Sequence, residues 1–493
     1  MISILYSIKH QKNDKQSKRW IFAITGMANL SVCFSLNSLN LALPTIADEF
    51  GVSQGDVSWL ALVYSLIPCC MLLICGKMAD LYGYKRQYKC GFCFFALASF
   101  MAPLLSHNLG SLIFFRALQG IGYSILISIT QATISRTFDD HERGKALGLN
   151  SIFVSVGLAS GPTIGGVLIT YFSWHAIFYF SIPFCLFGFI ATLLVMPDDH
   201  KKGTDKTKLD WLGGLLFAIS IGSLAIGLNF SDDWGLTTFP FLLCLNLFIT
   251  ALVLFIWWEM KAAVPLMPLS LFHNKTFTLA NLTCGLSYMT QQLTIYIFPF
   301  FLINILQLPS DKAGLILLAS PAAMLIASPL GGSLSDEYGT QRPAIIGLCL
   351  IAIHCILVGF FNADTSVIFI VFVLLLVGSG NGLSVSAINS AILGSVPREH
   401  SGVASGMLAT MRNIGNTFGT ALASVMLIMG QSHYEGHNQF DKNTAYLMAQ
   451  RDTFWVGLGL VFLAAVLILN MPNHQHEKKR NQGNENTHSD QAA

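Results

Sequence analysis

The chain alternates long apolar runs with short polar separators, and almost all of its charge lies in the separators. A run of about 20 largely apolar residues is long enough to cross a bilayer as a helix. Seven such runs are expected at 20–43, 57–76, 88–106, 110–133, 145–170, 174–196 and 211–229. Seven more follow at 238–258, 276–303, 312–333, 343–361, 366–392, 402–430 and 452–471. The predicted fold class is an all-α polytopic membrane protein with 14 transmembrane helices. Residues 1–19 form a polar, basic N-terminal tail, and 472–493 a polar tail expected to be disordered.

Lys and Arg placement gives a direction. With residue 1 in the cytoplasm, cytoplasmic segments hold 23 of these residues, and the outer loops hold three: Lys312, Lys442 and Arg451. Both termini are therefore expected on the cytoplasmic side of the cell membrane.

Composition agrees and narrows the function. Hydrophobic residues are 53% and charged residues 11% of the chain, where a soluble domain carries about 25% charged residues. A net charge of +2 over 493 residues offers nothing to nucleic acid. All 11 cysteines lie in apolar runs, as buried small hydrophobes do. The loops carry no CxxC or HExxH, and no GxxxxGK[ST] occurs, so no metal, cofactor or nucleotide site is expected. No nucleophile–base pair points to an enzyme.

Polar residues inside the runs are the candidate chemistry. The stretch FSLNSLNLALP, 34–44, places Ser35, Asn37, Ser38 and Asn40 within the first run. Asn37, Asn40 and Pro44 share one helix face. Arg116 costs at least a few kcal/mol inside a span unless it meets a partner or a wet cavity. Gln119 and Tyr123 lie on its face. Arg412 either lines the same cavity or lies near a span end. Gln292 and Tyr296 share a face, with Tyr288 and Gln291 close by, and Asn381 and Asn389 interrupt the run at 366–392. The expected substrate cavity thus comprises Ser35, Asn37, Asn40, Arg116, Gln119, Tyr123, Gln292, Tyr296, Asn381 and Arg412. His354 reads as a packing residue. No carboxylate lies near the middle of any run. The substrate expected is consequently a neutral or anionic amphiphile, not a lipophilic cation.

The chain also repeats itself. GKMADLYGYKR, 76–86, returns as GGSLSDEYGTQR, 331–342, with Asp80 on Asp336 and Gly83 on Gly339. HERGKALGLNSIFVSVGLASG, 141–161, returns at 399–419, placing Gly144, Gly148, Gly157 and Gly161 on Gly402, Gly406, Gly415 and Gly419. The expected organisation is a six-helix bundle over 20–196, an inserted and peripheral helix pair over 211–258, and a second bundle over 276–471. Parallel repeats of this kind suit a transporter that rocks two bundles about a central site.

Four stretches carry a family resemblance: LNLALP (39–44), GKMADLYGYKR (76–86), FRALQGIGYS (115–124) and GLASGPTIGG (157–166). In this order and at these spans, the chain resembles the major facilitator superfamily, and within it the fourteen-span drug:proton antiporters. The resemblance implies a secondary transporter exporting small amphipathic compounds by alternating access. Gly76, Asp80, Gly83, Lys85 and Arg86, echoed by Asp336, Gly339 and Arg342, would form a gating latch. Gly157, Gly161, Pro162, Gly165 and Gly166 would form the antiporter-motif helix. In that branch an Asp usually stands five residues before the Asn of the first-span motif, and this chain has Ser35 there. A proton would then have to ride on His354, on Asp80, on the substrate, or not at all. The expected partners are the lipid bilayer, a small-molecule substrate and possible protons, with the chain acting as a monomer. Two rivals stand beside this reading: a uniporter or importer of an organic anion held at Arg116, and a non-transporting membrane sensor or scaffold.

Overall fold

The structure is a computed structural model that describes residues 2–52, 54–139, 142–196, 209–230, 234–235, 238–262, 264–438 and 441–472. Some side chains within helices lie outside the described residues, among them those of 2–17, Asn40, Pro44 and Pro162, as does the polar tail from 473 on.

The first half contains α1 (Ile2–Phe50), α2 (Gln54–Tyr82), α3 (Tyr84–Leu105), α4 (Leu109–Thr137), α5 (Arg143–Tyr171), α6 (His175–Phe180) and α7 (Ile182–Val195). The middle pair is α8 (Trp211–Asn229) and α9 (Phe239–Glu259). The second half contains α10 (Lys275–Phe300), α11 (Ser310–Leu317), α12 (Ala319–Tyr338), α13 (Gln341–Val358), α14 (Val367–Gly394), α15 (Ser401–Asn438) and α16 (Lys442–Leu469). The secondary structure of the described residues is helical throughout, and the basic N-terminal stretch continues the helix of the first span.

Among the described residues, 13 helices are long and apolar enough to cross a membrane. The expected run at 402–430 lies in α15, which is long enough at 38 residues but is diluted by Arg412, Asn413, Asn416 and several glycines. Two spans are broken: α6 and α7 form one, and α11 and α12 another. After Pro299, which has no amide hydrogen to donate, α10 widens into a π-turn over Phe301–Ile305.

Tight turns set the shape at one end. Gly83 (φ 95°) joins α2 to α3, and Gly339 (φ 84°) joins α12 to α13. Both occupy the left-handed half of backbone space that glycine enters without a Cβ penalty. Elsewhere side-chain caps start the helices, as Asn108 does by accepting from Ser111 N at 2.8 Å.

Helices α1–α7 pack on one another, as do α10–α16. The two sets meet where α5 lies against α12 and α14, and where α2 and α4 lie against α15. The middle pair is not uniformly peripheral. In α9 the buried residues are Ala251, Phe255 and Glu259, but α8 wedges against both α2 and α15. Large apolar side chains cover the outside (Leu194 is 80% exposed and Ile368 84%), while Arg116, Gln119, Asn150, His354 and Asn381 are buried. That inversion suits a lipid surround, where apolar faces need no cover and polar groups seek partners inside.

Candidate functional site: two carboxylate latches and a polar centre

Each repeat of the 76–86 motif grips the start of a helix in the other half. The Asp80 carboxylate, at the end of α2, accepts from Gly402 N at 3.0 Å and Val403 N at 2.9 Å, at the N-terminus of α15. The Asp336 carboxylate, at the end of α12, accepts from Gly144 N and Lys145 N at 2.8 Å each, at the N-terminus of α5. The first amides of a helix lack intrahelical acceptors and carry the positive end of its dipole, so a carboxylate there is held by charge and hydrogen bonds together. Tyr84 adds a hydroxyl donor to Asp80 at 2.8 Å.

Glycine makes both grips possible. A Cβ on Gly402 would lie 2.7 Å from the Asp80 carboxylate carbon, and one on Gly144 would lie 2.6 Å from Asp336 Oδ1. The helices stay close farther along, where Gly76 meets Gly402, Gly332 meets Gly144 and Gly148 meets Ser328, each backbone to backbone. Of the other residues expected in the latch, Lys85 is half-buried, and Arg86 and Arg342 are exposed at the rim.

The glycine stripe of α5 lies on the polar stretch of α1. A Cβ on Gly157 would come 2.7 Å from Cys33 Cβ, one on Gly161 2.7 Å from Asn37 Cβ, and one on Gly165 3.0 Å from Ser38 Cβ. Asn37 Nδ2 donates to Leu158 O at 3.1 Å, and Gly166 O accepts from Thr170 Oγ1 at 2.9 Å. The second half repeats the contact: a Cβ on Gly415 would lie 3.0 Å from Tyr288 Cβ, and one on Gly419 2.7 Å from Gln292 Cβ. Small residues at this spacing let helices approach closely in lipid. The side chains of Asn40 and Pro162 lie outside the described residues.

Arg116 is enclosed inside the first half. Its Nη1 donates to Ser35 Oγ at 3.0 Å and to Gln119 Oε1 at 2.6 Å, its Nε reaches Leu60 O at 3.4 Å, and its guanidinium carbon sits 3.9 Å from the Tyr64 ring centroid. Gln119 passes the chain on to Ser99 Oγ at 2.6 Å. Arg116 is 1% exposed and Gln119 0%. This conformation therefore buries the pair, together with Ser35, within the bundle instead of presenting it on an open cavity.

Arg412 stands between the halves. Its neighbours are Tyr288 and Cys284 from the second half, and Tyr123 and Cys33 from the first. Its side chain is half-buried, as are Asn37, Tyr288 and Gln292. Tyr123 itself lies tilted against Tyr64, with ring centroids 5.4 Å apart. Tyr296 is committed to α15 through a 3.1 Å bond to Ser424 Oγ. Asn381 is buried in α14, and neither of its side-chain polar atoms has a hydrogen-bond partner among the described residues. His354 is packed between Thr294 Oγ1 and Val373 O, at 3.0 Å each.

A charged cluster at the base of the middle pair escaped the sequence reading. Glu259, 4% exposed, accepts from Leu266 N at 3.0 Å and Met267 N at 3.2 Å, with the buried Lys77 of the latch motif in its field. Asp210 accepts from Trp258 Nε1 at 2.8 Å and Gly213 N at 2.9 Å. Both acids sit at run boundaries, where a carboxylate reads as ordinary punctuation.

Relatives place this geometry in context. The model of the Major Facilitator Superfamily matches residues 25–420 and again 280–491. The riboflavin transporter RibZ of Clostridioides difficile is 30% identical over 433 residues, covering 87% of this chain and 92% of that protein. The multidrug transporter protein MdtP of Bacillus subtilis is 30% identical over 424 residues, covering 85% of this chain and 77% of that protein. Among solved structures, the human organic anion transporter MFSD10 superposes with a TM-score of 0.64 at 14% identity, over 92% of this chain and 99% of that one. Helical spans, paired carboxylate–helix contacts and these matches agree, and the chain belongs to the Major Facilitator Superfamily of membrane transporters.

Proposed function

We propose that the protein exports small neutral or anionic amphiphiles by alternating access, rocking α1–α7 against α10–α16. The observation that carries this reading is the reciprocal pair of latches, Asp80 on α15 and Asp336 on α5. Each is a set of charge-assisted bonds that must break for the halves to part at that end. The fourteen-span count takes α15 as the remaining span, and the Lys and Arg bias puts the latched end and both termini in the cytoplasm. The molecule is then held closed inside and is free to release outward across the cytoplasmic membrane.

The substrate class follows from the centre. Arg412 with Tyr123, Tyr288, Gln292 and Asn37 supplies one cation, aromatic rings and amide groups, and none of these residues bears a carboxylate. Arg116 serves as an internal strut in this reading. Ser35 leaves the first span, 20–43, without a carboxylate, and in this reading flux is driven by the substrate gradient. Everted vesicles with an imposed pH gradient test this: flux persists without the gradient, and flux that collapses with it overturns uncoupled export.

A second reading is uptake or uniport of an organic anion or a heterocycle, favoured by the riboflavin transporter among the relatives and by the carboxylate-free centre. Riboflavin is therefore the first probe. Net accumulation in cells expressing the protein selects uptake, and depletion selects export.

A further inference from the structure

A cavity of about 540 Å³ opens between the foot of α1 and the start of α5, at the latched end and apart from the central site. Its lining residues are Lys18, Arg19, Phe22, Phe138, Glu142, Lys145, Ala146 and Leu149. The floor is apolar: Phe22 meets Phe138 edge-on at 6.5 Å, and Leu149 completes it. The rim is cationic. Lys18 is engaged by Asp139 at 3.2 Å and Glu142 at 3.6 Å, while Arg19 and Lys145 are exposed. Trp20, the next residue along α1, is 39% exposed and packs on Phe187 of α7 at 6.1 Å; it is the kind of residue that settles at a membrane surface.

We infer that this cavity binds the headgroup and upper acyl chain of an anionic phospholipid, and that the lipid steadies the Asp336 latch. Charge complementarity selects the occupant. Three cations stand against Glu142 in the lining and Asp139 on Lys18, and the two cations left over, the exposed Arg19 and Lys145, favour a phosphate diester; a basic pocket at a helix foot is where such headgroups lodge. The apolar floor adds what a water-soluble phosphate lacks, a place for methylenes to leave water. The connection to the latch is covalent: Lys145, whose side chain lines the rim, also donates its backbone N–H to Asp336. A bound headgroup therefore fixes the helix start that Asp336 must find. The sidedness proposed above decides only which leaflet supplies the lipid. Binding is measured without transport, so its failure and a failure of the export reading are separable.

The test is native mass spectrometry of the purified full chain offered phosphatidylglycerol, phosphatidylcholine or sn-glycerol 1-phosphate. The expected result is selective retention of phosphatidylglycerol. The double variant Arg19→Gln/Lys145→Gln should weaken it about fivefold per cation, roughly 30-fold in all. Lys145→Arg and Arg398→Gln, the latter an exposed cation at the same end outside the cavity, should retain the lipid as wild type does and guard against a folding artefact. Equal retention of the two lipids, undiminished retention by the double variant, or binding of glycerol phosphate in place of the lipid would each overturn the proposal.

Discussion

Asp80 and Gly402 stand 322 positions apart in the chain and 3.0 Å apart in space, carboxylate oxygen to amide nitrogen. Asp336 and Gly144 form the converse pair, with the acid now from the second half and the glycine from the first. Each acid binds two successive amides, so a rotation of either bundle must break both bonds of a pair at once.

Removing one charge should loosen one latch. Hydrogen bonds to a charged group contribute about 1.5–3 kcal/mol each. Asp80→Asn keeps one acceptor and loses the attraction to the helix dipole. The expected result is at least a tenfold shift toward the unlatched state, read as faster labelling of cysteines placed behind the gate from that side. Asp336→Asn should act in the same direction.

The glycine stripe predicts a graded series. With Asn37 Cβ only 2.7 Å from the site of a new methyl, Gly161→Ala should cost about 1–3 kcal/mol of overpacking, and Gly161→Val more. Thermal unfolding of purified protein measures it. Gly419→Ala, with Gln292 Cβ at the same 2.7 Å, should lose a similar amount.

The two arginines within the spans should separate by readout. Arg116→Ala leaves Ser35 and Gln119 without their donor and strips the cation from the Tyr64 face, so it should destabilise the fold by about 3 kcal/mol. Flux per folded molecule should be little changed. Arg412→Gln should leave the unfolding midpoint near wild type and raise KM for an anionic substrate about tenfold or more, with a smaller change for a neutral one.

Ser35→Asp puts a carboxylate where Ser35 Oγ now accepts from Arg116 at 3.0 Å. The new acid should pair with that guanidinium, and this variant should tolerate Arg116→Ala less well than wild type does. A double-mutant cycle on thermal stability measures the coupling.

Much of this was legible in the sequence because it rests on period and repetition. Runs of spanning length gave the helices, and two echoes at nearly one offset gave the motifs that meet at the latches. What failed to show is the direction of the polar side chains within the bundle. Arg116 and Arg412 both stand in the cavity expected from the sequence, but one points into its own bundle and the other between bundles. Spacing along a helix says which residues share a face, not which neighbour that face meets. The engagement of α8 with both halves, and of Glu259 with the strand of chain after α9, depends on tertiary contacts between residues that carry no periodic signal.

The most direct test is the distance between the two sides of the latch. Spectroscopic labels introduced as non-natural amino acids at the exposed positions 86 and 398, which spare the 11 native cysteines, report it by pulsed electron resonance. Wild type should give one short distance, and the double variant Asp80→Asn/Asp336→Asn should add a longer population of comparable size. An unchanged distribution in the double variant would contradict the claim that these two carboxylates hold the halves together.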